Sequence, residues 1–315
     1  MPEKYTLCFP GQGAQSIGMG KEIYDAFKSA RDVFAEADDS LSFHLTKLIF
    51  EGDEAELTLT KNSQPAIMTV SIAALRALTN ELGANINPVC CAGHSLGEYT
   101  ALAASGVLEF HDAVRLVRDR GIFMQEAVPA GQGAMAALMG LDEDGVKNLC
   151  DSVAPNGEIA PANFNSPGQI VISGVNELID KAIESAQTFG AKRAVKLNVS
   201  APFHSKFMKP AADKLKAEFE KISWNEAKYD IIANVSAKPV KNPDEIRKSL
   251  YAQTFSPVLW QQSVNFMIDE LKVDTFIELG PGEVLTGLIK RIRKGMNLYS
   301  SSKPEKLEDI AKCLL

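Results

Sequence analysis

The chain has 315 residues, of which 45% are hydrophobic and 23% charged, and its formal net charge is −7. A negative net charge argues against nucleic acid or an anionic membrane as the main partner, because both favour concentrated positive charge. No apolar run approaches the ~18 residues that cross a bilayer, and the first residues lack the basic and apolar regions of a secretory signal. We therefore expect a cytoplasmic protein with no nucleic-acid or membrane partner.

The cysteines show no C-x-x-C spacing, and they are Cys8, Cys90, Cys91, Cys150 and Cys313. Two of them are adjacent inside a predicted strand. This pattern is typical of reduced, buried thiols in a cytosolic protein rather than of a disulfide framework.

The predicted elements alternate between strands and helices, which indicates an α/β fold. Up to residue 128 they are a strand over 5–9, helices over 21–38 and 63–82, a strand over 88–92, and helices over 96–105 and 111–128. After residue 200 they are a helix that ends near 222, a strand over 231–235, an irregular stretch over 251–260, a helix over 263–271, a strand over 275–279 and a helix over 284–293. We expect residues 1–128 and 201–315 to form one large α/β-hydrolase-like domain with a parallel sheet.

A second pattern lies between these two parts of the chain. Its elements are a strand over 134–139, a helix over 143–152, strands around 163–167 and 169–173, a helix over 177–189 and a strand over 194–199. The order βαββαβ is that of a ferredoxin-like fold. Residues 129–200 are therefore predicted to be a small domain inserted into the large one, with a cleft near its junctions.

The pentapeptide Gly93-His94-Ser95-Leu96-Gly97 separates a predicted strand from an alanine-rich helix. In such a turn the serine hydroxyl projects above the sheet, and the first N–H groups of the helix point at the atom it attacks. A side chain at position 93 or 97 would collide with the neighbouring strand or helix. The motif also occurs in ordinary strand-to-helix turns, but both flanks fit, so we predict that Ser95 is a nucleophile.

The first strand runs into the glycine-rich loop Pro10-Gly11-Gln12-Gly13-Ala14-Gln15. A dinucleotide-binding G-x-G-x-x-G would need glycine where Ser16 stands, so this interpretation fails. The loop does place Gln12 at the carboxyl end of a strand, where open α/β sheets build their sites. A plain turn remains the alternative.

A serine nucleophile needs a base, and the chain has four histidines, which are His44, His94, His111 and His204. His204 is the best candidate, because it lies in a proline-bounded loop beside the expected cleft. The carboxylates between Ser95 and His204 fall mostly in the inserted domain, so we expect a dyad in which a backbone carbonyl orients the imidazole. The oxyanion hole would combine the N–H of Leu96 with a donor from the Gln12 loop.

Two arginines flank the apolar stripe of the helix over 111–128. Periodicity leaves both Arg118 and Arg120 as candidates for a side chain that enters the cleft. Arg115 lies further round toward solvent, and the alternative is that all three arginines are solvated or snorkel.

Six motifs are decisive together: Phe9-Pro10-Gly11-Gln12-Gly13, Gly93-His94-Ser95-Leu96-Gly97-Glu98, Arg120-Gly121, Asn165-Ser166-Pro167, Ser200-Ala201-Pro202-Phe203-His204-Ser205 and Glu278-Leu279-Gly280-Pro281-Gly282. In this order they resemble the malonyl-CoA:acyl carrier protein transacylase family of fatty acid synthesis. The resemblance covers essentially all 315 residues.

The resemblance implies roles for the catalytic residues. Ser95 would carry the malonyl group and His204 would act as the base. The arginine before the glycine would hold the malonate carboxylate, which selects Arg120 over Arg118. Gln12 would form the oxyanion hole with Leu96.

The resemblance also implies that a glutamine orients the histidine through its backbone carbonyl. The matching stretch is Gln253-Thr254-Phe255-Ser256-Pro257, with serine where the family commonly has asparagine. In the related acyltransferase domains of polyketide synthases, leucine after the nucleophile and phenylalanine before the histidine accompany malonyl selection. Leu96 and Phe203 match that pattern, and Phe203 would narrow the acyl pocket beside the α-carbon.

The predicted function is transfer of a malonyl group from malonyl-CoA to the phosphopantetheine thiol of acyl carrier protein, by a ping-pong route through a malonyl-serine. No cofactor and no metal is implied. The alternatives are a stand-alone acyltransferase of a polyketide synthase, a serine hydrolase or thioesterase, and a non-catalytic scaffold. Docking of an acidic carrier protein would need a local positive patch, for which the candidates are Lys192, Arg193, Lys206 and Lys209.

Overall fold

The computed structural model describes residues 4–199 and 201–314. Within these residues there are ten strands and fourteen α-helices. The strands are β1 (Tyr5–Phe9), β2 (Cys90–Gly93), β3 (Gly133–Met139), β4 (Ile159–Ser166), β5 (Gln169–Val175), β6 (Arg193–Lys196), β7 (Asp230–Ile232), β8 (Pro239–Val240), β9 (Thr275–Glu278) and β10 (Asn297–Ser300). The helices are α1 (Lys21–Ala26), α2 (Lys28–Leu41), α3 (Leu45–Glu51), α4 (Glu54–Thr58), α5 (Thr60–Asn80), α6 (Leu96–Ala104), α7 (Phe110–Glu126), α8 (Glu143–Val153), α9 (Asn176–Ser185), α10 (Lys209–Phe219), α11 (Pro243–Gln253), α12 (Trp260–Asp269), α13 (Val284–Ile292) and α14 (Pro304–Leu314).

The large sheet has the strand order β10-β9-β1-β2-β7-β8. Its first five strands in that order pair in parallel, and β8 is antiparallel to β7. The sheet is therefore parallel, as predicted, except at one edge, where β8 makes it mixed. Alternate residues of β1 enter different hydrophobic clusters, Leu7 on one face and Cys8 on the other. Burial of both faces is the usual condition of a parallel sheet covered by helices.

The second sheet is antiparallel, with the strand order β4-β5-β3-β6. Its elements follow the predicted order βαββαβ, because α8 lies between β3 and β4 and α9 lies between β5 and β6. This sheet has a hydrophobic cluster of its own, built by its strands with α8 and α9. Backbone hydrogen bonds join it to the rest of the molecule: the N–H of Phe164 donates to Val258 at 2.9 Å, and the N–H of Val258 donates to Ala162 at 2.9 Å.

Several predicted elements have different bounds in the structure. The helix predicted over 21–38 is two helices, because Phe27 takes an extended conformation with φ −119° and ψ 129°. The helix predicted to begin at Ser63 begins at Thr60, so that Pro65 lies inside it. The stretch over 251–260 is not wholly irregular, since α11 continues to Gln253 and α12 begins at Trp260.

Four helices and two strands were missed. They are α3, α4, α11, α14, β8 and β10. The start of α11 carries a signal that could have found it, because the Asn242 side chain caps the helix and Pro243 occupies its first turn. Of the other five, α3 and α4 are short, β8 and β10 are the edge strands of the large sheet, and α14 is the last helix of the described chain. No helix in residues 4–199 and 201–314 is long and apolar enough to cross a membrane.

Candidate active site

The predicted nucleophile turn lies between β2 and α6. Ser95 has φ 52° and ψ −101°, a strained conformation for a residue with a side chain. A Cβ added at Gly93 would lie 2.0 Å from the carbonyl carbon of Gly97, and one added at Gly97 would lie 1.9 Å from the carbonyl oxygen of Phe9. The turn therefore requires both glycines, as the sequence indicates.

Ser95 and His204 are in direct contact. The Oγ of Ser95 lies 2.8 Å from Nε2 of His204, and Nδ1 of His204 lies 2.9 Å from the backbone carbonyl of Gln253. A donor at Nδ1 leaves the lone pair at Nε2 free to accept the serine proton. The expected backbone carbonyl is thus present, and it comes from Gln253, at the end of α11.

The environment keeps His204 neutral. Its side chain is buried, and burial, with the nearby charge of Arg120, lowers the pKa of His204 to about 3. A neutral imidazole is the form that accepts a proton. His94, the neighbour of Ser95, bonds elsewhere: its Nε2 lies 2.8 Å from Oδ1 of Asn165 in β4.

Arg120, not Arg118, reaches the nucleophile. Its side chain is fully buried, and Nη2 donates to Oγ of Ser95 at 3.0 Å and to Oε1 of Gln253 at 2.9 Å, while Nη1 donates to Oε1 of Gln64 at 2.8 Å. Arg118 lies instead over the ring of Phe43, 4.3 Å from its centroid. Periodicity left both arginines as candidates for the cleft, and α7 places Arg120, not Arg118, in the lining of the cavity around Ser95.

All three hydrogen-bond acceptors of Arg120 in the described part of the chain are uncharged oxygens. A buried guanidinium without a directly bonded carboxylate is unusual, because burial of an unpaired charge is costly. Tyr99 and the carboxylate of Glu98 act on the charge of Arg120, but Arg120 donates no hydrogen bond to Glu98 among its bonds in the described residues. The site is thus electrostatically prepared for an anionic ligand.

A cavity of about 450 Å³ contains the predicted site. Its lining includes Gln12, Ser95, Leu96, Arg120, Phe203 and His204. Met135 of β3 and Asn163 of β4 also line it, so the second sheet contributes to the cavity. Gln253 lies behind this lining and contacts it through its hydrogen bonds. A larger cavity, of about 520 Å³, is lined by residues of α13, β10 and α14 and does not include Ser95.

The predicted oxyanion donors lie in this cavity. Leu96 is the first residue of α6, where backbone N–H groups have no partner within the helix. Gln12 lies in the loop after β1, and its Nε2 donates to Oγ1 of Thr60 at 3.4 Å. Phe203 precedes His204, is buried, and lines the same cavity.

Three residues of the network were missed by the sequence analysis. Gln64 binds the guanidinium of Arg120, Asn234 accepts the N–H of Ser95 at 2.7 Å, and Glu98 accepts hydrogen bonds from Asn234 and Gln253. Glu98 stands in the quoted nucleophile motif, so its position offered a signal. Nothing local pointed to Asn234, which lies 139 residues from Ser95.

No group of three or more His, Cys, Asp or Glu side chains that could hold a metal is found in residues 4–199 and 201–314. Among the positive-patch candidates, Lys192 and Arg193 lie beside Met139, whereas Met135 at the other end of β3 lines the cavity. Lys209 is ion-paired with Asp213 at 3.0 Å. Whether these side chains form a docking patch stays a prediction.

Comparison with known proteins identifies the family. A family model described as acyl transferase domain matches residues 6–306. The chain is 49% identical over 306 residues to the malonyl CoA-acyl carrier protein transacylase of Bacillus subtilis (strain 168), covering 97% of this chain and 95% of that protein. The chain belongs to the malonyl CoA-acyl carrier protein transacylase family.

Solved structures of transacylases agree with this assignment. An acyl-carrier-protein S-malonyltransferase from Bartonella henselae superposes with a TM-score of 0.96 at 44% identity, covering 99% of both chains. A malonyl-transacylase in complex with its type II PKS acyl-carrier protein superposes with a TM-score of 0.95 at 41% identity, covering 99% of this chain and 100% of that chain. The resemblance to a transacylase family that the six motifs indicate is confirmed.

Proposed function

We propose that this protein transfers the malonyl group of malonyl-CoA to the phosphopantetheine thiol of acyl carrier protein through a malonyl ester on Ser95. One observation carries the proposal: the buried guanidinium of Arg120 is hydrogen-bonded to the nucleophile itself, 3.0 Å from Oγ of Ser95. An acyl group on Ser95 whose carboxylate reaches this guanidinium must be short. Malonyl fits, because a single methylene separates its carboxylate from the reacting carbonyl.

In the first half-reaction, Oγ of Ser95 attacks the thioester carbonyl of malonyl-CoA while Nε2 of His204 takes the hydroxyl proton. The N–H groups of Gln12 and Leu96 stabilise the negative oxygen of the tetrahedral intermediate. When the intermediate collapses, the carbon–sulfur bond breaks, and His204 returns the proton to the departing sulfur of coenzyme A. A malonyl ester on Ser95 remains.

The second half-reaction runs the same steps with the phosphopantetheine thiol as the attacking group. His204 takes the thiol proton, the sulfur attacks the ester carbonyl, and the same N–H groups hold the oxyanion. Collapse breaks the bond to Oγ, and His204 returns the proton to Ser95. Every proton is carried by His204, so this route needs no cofactor and no metal.

Arg120 would recognise the free carboxylate of malonate. A guanidinium can donate two parallel hydrogen bonds to a carboxylate, and in a desolvated pocket such a pair is strong. On arrival the carboxylate would supply the charged acceptor that Arg120 lacks among its present partners. Phe203 would limit the room beside the α-carbon, which favours malonyl over a branched analogue.

A carrier protein of polyketide synthesis is the second candidate acceptor. It is favoured by one observation, the similar transacylase solved with its type II PKS carrier protein. The chemistry at Ser95 would be the same. Parallel assays with a fatty-acid carrier and a polyketide carrier at equal concentration would separate the two by their kcat/KM values.

We also propose that residues 129–200 form an inserted ferredoxin-like domain, with residues 1–128 and 201–315 as the large α/β-hydrolase-like domain. The order of strands in the second sheet supports this, since the first and third strands of its βαββαβ run are central. The boundary at Ser200 and the ends 1–3 and 315 lie outside the described residues. The free, buried thiols Cys8, Cys90 and Cys91 favour a reducing cytoplasmic location.

A transfer assay tests the proposed function directly. The protein is mixed with malonyl-CoA and holo acyl carrier protein, and the carrier is weighed by mass spectrometry. The apo carrier, which lacks the phosphopantetheine thiol, is the matched control. We expect malonyl on the holo carrier alone, and a carrier that stays unmodified while malonyl-CoA is hydrolysed would instead indicate a thioesterase.

A further inference from the structure

The backbone of the nucleophile is held by side chains from two distant segments. The N–H of Ser95 donates to Oδ1 of Asn234 at 2.7 Å, and the carbonyl of Ser95 accepts from Nε2 of Gln253 at 2.9 Å. Asn234 also donates from Nδ2 to the carbonyl of Gly93 at 2.7 Å. Because Ser95 has a positive φ, its conformation persists only where the surroundings enforce it.

Both segments meet at a single buried carboxylate, Glu98. Its Oε2 accepts from the backbone N–H of Asn234 at 3.0 Å and from Nε2 of Gln253 at 2.9 Å, and the residue is 1% exposed. Glu98 lies on the first turn of α6, one turn beyond the nucleophile. It therefore links the helix that follows Ser95 to the two groups that hold the serine peptide.

The carboxylate also determines which way the amide of Gln253 points. An ionised carboxylate is an acceptor only, so it binds the NH₂ end of the amide and turns the carbonyl end away. That carbonyl, Oε1, accepts from Nη2 of Arg120 at 2.9 Å. A rotated amide would press its NH₂ against the guanidinium and its oxygen against the carboxylate.

Gln253 also orients the base, because its backbone carbonyl accepts from Nδ1 of His204. One residue thus contacts the serine, the arginine and the histidine, and Glu98 holds that residue. The charged or titratable groups that face Glu98 are Arg120 from α7 and Tyr99 from its own helix. Burial raises the pKa of Glu98 to about 7, against the opposing effect of the bonds from Gln253 and Asn234 and the charge of Arg120.

We propose that Glu98 is a positioning residue for acyl transfer, which in its ionised form holds Gln253 so that Ser95, His204 and Arg120 are aligned. This inference rests on the proposed function. It assigns no contact between Glu98 and the substrate.

The test compares two substitutions that each neutralise a buried carboxylate, Glu98→Gln and Glu278→Gln. Glu278 is also fully buried, but it accepts from the N–H groups of Leu285 and Thr286 at the start of α13, and none of its hydrogen bonds in the described residues goes to the aligned residues. The measurement is the single-turnover rate of acylation by malonyl-CoA and by acetyl-CoA. We expect Glu98→Gln to slow both, on the order of 10- to 100-fold, with malonyl-CoA losing at least as much as acetyl-CoA because Gln253 also holds Arg120, and Glu278→Gln to leave both rates unchanged.

The pH profile of acylation distinguishes positioning from a loss of stability. Glu98 is productive when ionised, so the rate in the unsubstituted protein should rise with pH through a limb near 7. The pKa of His204, about 3, places its own limb far below that range. We expect the limb near 7 to disappear in Glu98→Gln and to persist in Glu278→Gln. A limb that persists in folded Glu98→Gln would overturn the proposal.

A second variant, Gln253→Met, removes the amide but keeps the backbone carbonyl. If Glu98 acts through Gln253, the double variant should be no slower than the slower single variant, whereas multiplying losses would contradict the proposal. Should Glu98→Gln fail to fold, Gln253→Met decides alone, because it should also abolish the limb near 7. An unmodified Ser95 in the unsubstituted protein would refute the proposed function, while unchanged acylation of Glu98→Gln would refute only this inference.

Discussion

Nη2 of Arg120 donates a hydrogen bond to Oγ of Ser95 across 3.0 Å, so the guanidinium and the nucleophile are in direct contact. The same Oγ lies 2.8 Å from Nε2 of His204. The serine can therefore accept from the arginine and donate to the histidine at once. Under the proposed function, this contact places the group that would bind the malonate carboxylate directly beside the atom that would attack the thioester.

Replacement of Arg120 should reduce the preference for malonyl-CoA over acetyl-CoA rather than abolish activity. In Arg120→Ala the malonate carboxylate would be buried without a partner, a loss of about 2–5 kcal/mol, or on the order of 30- to 5,000-fold in kcat/KM. Acetyl-CoA has no carboxylate, and in the unsubstituted protein it leaves the guanidinium unpaired. The variant should therefore discriminate against acetyl-CoA far less, as kcat/KM for the two substrates will show.

Arg118→Ala is the control for this experiment, because Arg118 lies on the same helix but packs on Phe43. We expect its ratio of malonyl-CoA to acetyl-CoA kcat/KM to match that of the unsubstituted protein. Equal losses for both substrates in Arg120→Ala, or a selective loss in Arg118→Ala, would show that the carboxylate is bound elsewhere.

His204 should be neutral across the whole physiological pH range. Burial and the charge of Arg120 lower the pKa of its imidazole to about 3, whereas an exposed histidine titrates near ~6.5. Protonation should therefore begin only at strongly acidic pH. Nitrogen chemical shifts of the His204 ring should report a neutral imidazole at pH 5, and a titration midpoint near that of exposed histidine would contradict this electrostatic account.

The nucleophile turn should not tolerate a methyl group at Gly97. A Cβ there would lie 1.9 Å from the carbonyl oxygen of Phe9, so Gly97→Ala should lower the free energy of unfolding by about 1–3 kcal/mol or more and abolish acylation. Gly287→Ala is the matched control, because Gly287 lies inside α13 and a Cβ there meets nothing within 4 Å. It should raise stability by about 0.5–1 kcal/mol. Equal effects of the two substitutions in denaturant unfolding would refute the steric argument.

Carrier docking should depend on local positive charge, although the protein as a whole is acidic. We predict that the pair Arg193→Glu and Lys206→Glu raises KM for acyl carrier protein and leaves acylation by malonyl-CoA unchanged, because a like charge repels the acidic carrier. The control pair is Lys28→Glu and Lys312→Glu, on α2 and α14. Equal changes in KM from both pairs would indicate only an effect of net charge.

The nucleophile turn and its glycines could be predicted from sequence, because their geometry depends on residues within a few positions of Ser95. The choice between Arg118 and Arg120 could not follow from periodicity, since both flank the same stripe, and it came from the family resemblance. The structure supplies the physical reason, which is the contact between Arg120 and Ser95.

The residues that hold the backbone of Ser95 in place could not be predicted from local sequence patterns. Asn234 reaches the N–H of Ser95 from a turn after β7. Gln253 reaches the carbonyl of Ser95 from the end of α11, in a stretch that was predicted to be irregular. Such contacts depend on how distant elements pack. The break between α1 and α2 at Phe27 was not predicted for a different reason. One extended residue hardly alters the apolar pattern of the segment.

The most direct test of the account is the intact mass of the protein after it is mixed with malonyl-CoA. A malonyl ester on Ser95 is the intermediate on which every later step depends. We predict that the unsubstituted protein gains the mass of one malonyl group and that Ser95→Ala, with the same fold, gains none. An adduct that persists in Ser95→Ala, or an unsubstituted protein that gains no mass, would contradict the account.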